Sequence, residues 1–489
     1  MRKENDFSLW QRPQFELLSY EQLTKIYHAA LNILERIGGD FYDKEAVELL
    51  SDAGAYVIDK KRVRIPCHLV EEALRSAPKR VVISDRNGRS SMFLEGTNIY
   101  FGTGSDTPYT LDPYTGERRS AVKEDVVRGA LVADYLSEID FCMCFAIASD
   151  VNVMSSDCHH FEAMVRNTTK PLIITSWGLE GLKYMYDMML AIKGTEENIQ
   201  SDPFVIFYAE PITPLKHPKE SLQKLLFCAE KRIPVLYGPA PTRGATAPVT
   251  AAGAFAVGFA EFLSGLVLTQ LKRKGSPVIC SGGAGAMDMK TCLRPYAAPE
   301  QDLSRVVRAE MARFFNLPSW GSGGTSDSKT FDEQAVAEAY QQIFLSSIAG
   351  SNLIHDVGYL ETGMTSSLEL LTTCNELIGK TKQFLKSLIV SEDTLALDVI
   401  EEVGPGGNFL THPHTFEHFK EEIWMPELID RQNFENWVKA GRKTLKQVVN
   451  AKVRWILENH KPERLPEEVE NHLREIVEKY DRHCEINKS

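Results

Sequence analysis

The sequence predicts an α/β protein: a (β/α)8 barrel preceded by a helical and β-hairpin region and followed by a helical extension. Three observations carry that expectation. After Val122 short apolar runs alternate with amphipathic helical stretches. Units of this kind build parallel sheets, and so many in series favour closure into a barrel over a doubly wound open sheet. The two flanks lack the alternation, which sets off residues 1–79, 80–122, 123–400 and 401–489 as separate regions.

The first region begins its helices at Ser19, where Gln22 three residues on completes a capping box. Leu23, Ile26, Ala30, Ile33, Leu34 and Ile37 then recur at helical spacing until Gly38-Gly39. Helices over 44–51 and 66–76 follow, joined by the extended AYVIDKKRVRIP. The second region carries VVIS, MFLE and IYFG between turn signals at Asn87-Gly88 and Asp112–Gly116, which predicts antiparallel hairpins.

In the third region a helix over 123–136 precedes strands at 139–147, 172–175, 204–208, 234–237, 277–280, 318–321 and 352–355. That is seven strands where closure needs eight. The eighth is expected at Ser387–Val390, or among the hairpins. Past Gly404-Pro405-Gly406-Gly407 two long helices are expected over 434–460 and 466–480.

Composition narrows the function. Of 489 residues 43% are hydrophobic and 25% charged, as in a water-soluble protein with a large core. The net charge of -12 argues against a nucleic-acid partner, since phosphates reward basic surfaces. Nine cysteines, an odd number with no CxxC, do not form a disulfide framework. The opening MRKENDFSLWQRPQF lacks the apolar core of a signal peptide, so a cytoplasmic location is expected. Val249–Leu271 is long and apolar enough to span a membrane, but Glu261 and Gln270 within it favour a buried helix, and no membrane association is expected.

Barrel chemistry sits at the C-terminal ends of the strands. Those positions hold Trp177, Tyr208, Glu210, Tyr237, Trp320, His355 and Tyr359. Five of the seven are aromatic, and aromatic faces attract quaternary ammonium groups through the ring quadrupole. Glu210 beside such a cation adds direct charge attraction, or is instead an ion-pair partner of Arg243. A carboxylate on the same ligand needs a donor, which Arg243 or His355 can supply. Asp356 is a partner for His355 or the start of the next loop.

Other motifs read more weakly. HPHTFEH brings His412, His414 and His418 close in sequence and invites a zinc reading, but stabilising the C-terminal region or touching a partner is the favoured role, and no bound metal is expected. SGGAGAMD (Ser281–Asp288) is neither GxGxxG nor GxxxxGK and reads as a tight loop. Asp327 and Lys329 in TSDSK suggest a loop-fixing ion pair.

Five strings occur in one order: TAPVTAAG (Thr246–Gly253), GLVLTQL (Gly265–Leu271), GGTSDSK (Gly323–Lys329), AGSNLIH (Ala349–His355) and LALDVIEEVGPGG (Leu395–Gly407). On these the chain resembles the trimethylamine methyltransferase family, in its branch without pyrrolysine. The resemblance implies a closed barrel and a corrinoid-dependent transferase, in which a methyl group passes from an amine to the cobalt(I) of a separate corrinoid (cobalamin) protein. Trimethylamine-specific members carry pyrrolysine, and no such residue occurs here, which points to quaternary amines of the betaine type. YFGTGSDTPYTLD resembles a segment that comes near the substrate in related quaternary-amine enzymes, which adds Tyr100 and, beside it, Tyr109. The resemblance places Glu210, in YAEPITPL, where many relatives carry an asparagine. The family's barrels often form homo-oligomers. Transfer to tetrahydrofolate, or a non-catalytic betaine sensor, are the competing readings.

Overall fold

A computed structural model of the chain describes residues 13–386 and 388–486. Eight strands run parallel round a ring: β1 (Tyr100–Thr103), β2 (141–142), β3 (Leu172–Ile174), β4 (Val205–Ala209), β5 (Val235–Tyr237), β6 (Val278–Ile279), β7 (Trp320–Ser322) and β8 (Leu353–Val357). Gly102 pairs with Phe141, and Cys142 with Leu172. Val205 then pairs with Leu172, Phe207 with Val235, and Val235 with Val278. Cys280 bridges to Ser319, Trp320 pairs with Leu353, and Leu353 pairs with Tyr100, which closes the barrel.

After each strand comes one helix of the outer layer: α1 (Lys123–Tyr135), α2 (Ser156–Asn167), α3 (Leu179–Lys193), α4 (Lys219–Lys231), α5 (Ala251–Lys272), α6 (Pro299–Phe314), α7 (Glu333–Ala349) and α8 (Leu368–Phe384). All seven expected strands are present, although 139–147 shrinks to two bridging residues. The missing strand is Tyr100–Thr103, so the barrel starts before residue 123. Of Ser387–Val390, Ser387 lies outside the described residues and the other three form no strand. Residues 1–12, on which the signal-peptide argument rests, are likewise outside the described residues.

Strand parity decides what fills the ring. Phe141, Met143, Ile173, Ile206, Leu236, Ile279, Trp320 and Leu353 form one cluster inside it. The hairpin Val81–Ser84/Ser90–Leu94 adds Val81, Ile83, Met92 and Leu94 to that cluster and plugs the N-terminal end. Tyr100 belongs to this plug: its hydroxyl accepts from the Phe93 amide at 2.9 Å. Asn352 fixes the plug further by donating to the Asn98 carbonyl at 2.8 Å.

The apolar helix α5 lies beneath the N-terminal helices Tyr20–Asn32 and Cys67–Ser76, with 83% of its most apolar window buried. Glu261 within it accepts from the Thr213 hydroxyl and the Leu215 amide, which a lipid-facing helix could not offer. At the other flank, Leu445–Asn459 packs on α8 and α1, and Glu467–Ile486 on α3 and α2. Between α8 and Leu445 the helices from Glu392 to Lys439 bury none of their residues.

Closure through β1 depends on Gly102, whose added Cβ would stand 2.1 Å from the Phe141 ring. Gly102→Ala should cost on the order of 1–3 kcal/mol, read as a lower urea midpoint at unchanged m-value. Gly178→Ala, where a Cβ meets nothing within 4 Å, should leave the midpoint nearly in place.

Candidate active site

Two confluent cavities open at the C-terminal end of the barrel. The inner one, about 110 Å³, lies between β4, β7, β8 and the start of α6. The outer one, about 480 Å³, shares Tyr208, Glu210, Tyr296, His355 and Asp356 with it and extends to Asp106, Thr175, Lys224 and Tyr359.

The floor is a stack of rings. Trp320 stacks on His355 with centroids 4.0 Å apart and on Tyr208 at 5.8 Å. These three residues share inward parity, Trp320 and His355 on the neighbouring strands β7 and β8 and Tyr208 across the ring on β4, where Ile206, Tyr208 and Glu210 follow the same alternation. Trp320 is only 2% exposed, so it supports the floor and shows little of its face.

His355 and Asp356 are adjacent in β8 yet both line the cavity. Regular pleating would send one of them outward. A bulge between Ile354 and Val357 lifts the constraint, with Asp356 in the left-handed region at φ 76°. His355 Nδ1–H donates to the Gly321 carbonyl at 2.6 Å, which leaves Nε2 facing Asp356 Oδ1 at 3.1 Å. Two such atoms at that distance hold one proton between them. Burial pushes the His355 imidazole below its ordinary pKa, against the opposing pull of Asp356 and the Gly321 carbonyl.

Glu210 accepts a hydrogen bond from the Tyr208 hydroxyl. Burial raises its carboxyl above the usual range, while Tyr208, Arg294 and Lys224 pull the other way. Across the cavity stand Arg294 and Tyr296 from the loop after β6, and Gln301, Ser304, Arg305 and Arg308 from α6. Asp327 holds that loop by accepting from the Tyr296 and Ala297 amides at 2.8 and 3.0 Å. Lys329 donates to the Asp327 carbonyl, so the expected side-chain ion pair is replaced by backbone pinning. The SGGAGAMD loop packs against α6: a Cβ on Gly285 would stand 2.2 Å from Arg294 Nε, and one on Gly283 2.5 Å from Ser304 Oγ.

Of the residues expected from sequence, Tyr208, Glu210, Trp320, His355 and Tyr359 converge on these cavities. Tyr359 is buried, with its hydroxyl bonded to the Ser105 carbonyl. Trp177 is a rim residue, 57% exposed, tied to Ser156 Oγ through its indole N–H.

Four expectations need correcting. Tyr237 points out of the barrel, because the inward position of β5 belongs to Leu236; its hydroxyl meets His217 Nδ1 at 2.8 Å and its ring covers Gly265 of α5. Tyr100 sits in the plug at the opposite end. Arg243 donates to the Val249 carbonyl in a rim loop and does not line the cavities. Tyr109 is likewise elsewhere, under the Arg118 guanidinium at 3.5 Å.

Arg294, Tyr296 and Arg308 were not anticipated. Arg305 and Arg308, three apart on α6, share a helix face that reads as solvent-exposed in sequence. The cue was their position in the first turns of a helix following a glycine-rich strand end.

Among the described residues one group has metal-ligating types together: Asp106, Cys144 and His160, their ligand atoms within 4.8 Å. His160 Nε2 accepts from the Ala148 amide, so its proton stays on Nδ1. The Cys144 thiol donates to the Ala146 carbonyl, and burial raises Asp106 to about 6. Metal ligation needs a thiolate and a free imidazole lone pair, whereas burial keeps the Cys144 thiol protonated and the Ala148 amide occupies His160 Nε2. His412 caps its own helix by accepting from the His414 amide.

Comparison with known proteins agrees with the motifs. The family model described as trimethylamine methyltransferase (MTTB) matches residues 3–485. The chain is 34% identical over 461 residues to the trimethylamine methyltransferase MttB of Desulfitobacterium hafniense (strain DSM 10664 / DCB-2), covering 94% of this chain and 93% of that one. It is 30% identical over 471 residues to the glycine betaine methyltransferase of Desulfitobacterium hafniense (strain Y51), covering 95% and 97%. Among solved structures, the monomethylamine methyltransferase (MtmB) of Methanosarcina barkeri aligns at TM-score 0.49 and 12% identity, over 93% of this chain and 90% of that chain. The chain is a methyltransferase and belongs to the trimethylamine methyltransferase family.

Proposed function

We propose that the protein moves a methyl group from a betaine-type quaternary amine, such as glycine betaine or proline betaine, to the cobalt(I) of a corrinoid held by a separate protein, releasing the tertiary amine. The observation that carries this reading is the cavity itself: Tyr208 and Tyr296 offer aromatic surface beside the Glu210 carboxylate, over the Trp320–His355 stack. That combination suits a diffuse cation with no N–H to donate. The reduced corrinoid supplies the nucleophile that takes the methyl.

The chain's own task is placement. A quaternary ammonium leaves as a neutral amine, so no proton has to move and no general acid is needed. Positive charge leaves nitrogen during transfer, so a site gripping the cation too hard would oppose the step. Glu210, whose pKa burial raises above the usual carboxylate range, is a moderate partner. His355, with both ring nitrogens engaged, is a positioning residue that fixes Trp320 and Asp356.

The corrinoid protein must reach the open end. Trp177, Ile212, Val249, Met289, Leu293 and Met364 lie exposed on loops there, an apolar rim that fits a docked partner. Leu388, Val390, Leu397, Leu410 and Phe416 stand exposed on the C-terminal extension, which supports self-association through that surface; light scattering should show a homo-oligomer.

Methylation of cob(I)alamin, followed by absorbance, tests the reaction. Turnover with glycine betaine, proline betaine, carnitine or γ-butyrobetaine and none with trimethylamine is expected; turnover with trimethylamine alone would sink the quaternary-amine reading. Glu210→Gln should raise KM about tenfold, on the order of 1–2 kcal/mol of cation binding.

The pH profile gives an independent check. Glu210 must be ionised to attract the cation, so kcat/KM should fall as pH drops through its raised pKa. Tyr208→Phe removes a hydrogen bond that favours the carboxylate. Its acid limb should therefore shift to higher pH, and that limb should vanish in Glu210→Gln.

A further inference from the structure

We infer that Arg308 and Arg294 form an anion subsite that binds the carboxylate of the substrate and makes the enzyme select carboxylated quaternary amines over their uncharged-tail counterparts. The inference rests on the quaternary-amine reading for the other end of the ligand and adds residues that no motif pointed to.

Three guanidinium groups line the inner cavity, and they are not equivalent. Arg305 is fully engaged. Its Nη1 donates to Asp302 at 2.7 Å, its Nε to the Ser322 carbonyl at 3.0 Å, and its Nη2 to the Tyr296 carbonyl at 2.8 Å and Gln342 Oε1 at 3.0 Å. It is a structural cation with its own counter-ion.

Arg308 is 8% exposed and makes one long hydrogen bond, from Nη2 to Ser322 Oγ at 3.3 Å. Its Nε is buried without an acceptor. Arg294 donates once, from Nη1 to the Ala240 carbonyl at 3.1 Å, and its Nε is also buried without an acceptor. Neither has an ion pair among the described residues. Like charge adds to the mismatch: after burial, Arg305 and then Arg294 hold Arg308 down, to about 10, with Asp356 opposing.

A buried guanidinium without an ion pair is costly, and Arg308 is one, with the unsatisfied Nε of the half-buried Arg294 beside the same cavity. Such an arrangement persists where an anion is to be received, and a planar guanidinium suits a carboxylate. Glu210 and Tyr208 line the same cavity. A carboxylate held against α6 therefore leaves the ammonium at Tyr208 and Glu210, which also border the wider outer cavity. That sets the N-methyl groups toward the open end, where the corrinoid protein arrives.

The test is calorimetric binding to the full-length protein alone, without corrinoid protein, so that no acidic group of the partner can occupy the subsite. Glycine betaine is compared with choline, and γ-butyrobetaine with its alcohol counterpart. 3,3-Dimethylbutanoate, which keeps the carboxylate and replaces ammonium by carbon, probes the subsite by itself. The acid of the better-bound pair should bind at least tenfold tighter than its alcohol. Arg308→Met and Arg294→Met should each reduce that acid-over-alcohol preference severalfold, with Arg308→Lys partly restoring it.

Equal binding of acid and alcohol by the wild-type protein would overturn the inference, and needs no variant to fold. So would variants that keep full preference for the acid. If 3,3-dimethylbutanoate binds through Arg308 while no quaternary amine yields its methyl to cob(I)alamin, the subsite stands and the reaction reading fails.

Discussion

The strand Tyr100–Thr103 holds the molecule's chemistry in place, because its pairing with β2 on one side and β8 on the other turns a row of parallel strands into a ring. A closed ring has no edge, and each strand's side chains must alternate between interior and helical shell. Once that parity is set, Ile206, Tyr208 and Glu210 face inward together, as do Leu353 and His355, while Tyr237 goes to α5. The plug hairpin and Asn352 hold the same strand from below. The open end is thereby left as the place where unlike side chains can meet.

What meets there is electrostatically divided. On the β4 side, aromatic rings and a carboxylate of raised pKa suit a cation that must later lose its charge. On the α6 side, guanidinium groups occupy a wall from which Arg305 alone has its counter-ion. The bulge at Asp356 joins the halves by turning a second consecutive β8 residue into the cavity. Backbone strain of this kind survives only where neighbours fix it, and His355, Gly321 and Trp320 provide that support.

Reading function from such a site requires separating rings that support from rings that touch a ligand. Trp320 is nearly sealed between its neighbours, Tyr359 spends its hydroxyl on Ser105, and Tyr208 and Tyr296 remain to face the cavity. A count of aromatic residues at strand ends overstates the cage, because a ring contributes to cation binding only through a face left open.

By itself the sequence determined the α/β class, seven of eight strands, the family and five residues at the site, since apolar periodicity and strand-end position are local properties that a linear pattern preserves. It also carried the N-terminal capping box, found at Ser19 and Gln22. Tertiary structure decided the rest. Tyr100–Thr103 reads locally as another hairpin strand, and only its partners on both sides make it β1. Tyr237 and Tyr208 end neighbouring strands alike, but register sends one outward and the other in. Arg294 and Arg308 come from a loop and a helix whose sequences look solvent-facing, and they become site residues because the glycine-rich loop after β6 lets them approach the strand ends. Parity, register and the approach of distant segments depend on closure of the whole ring, a long-range condition that no window of sequence contains.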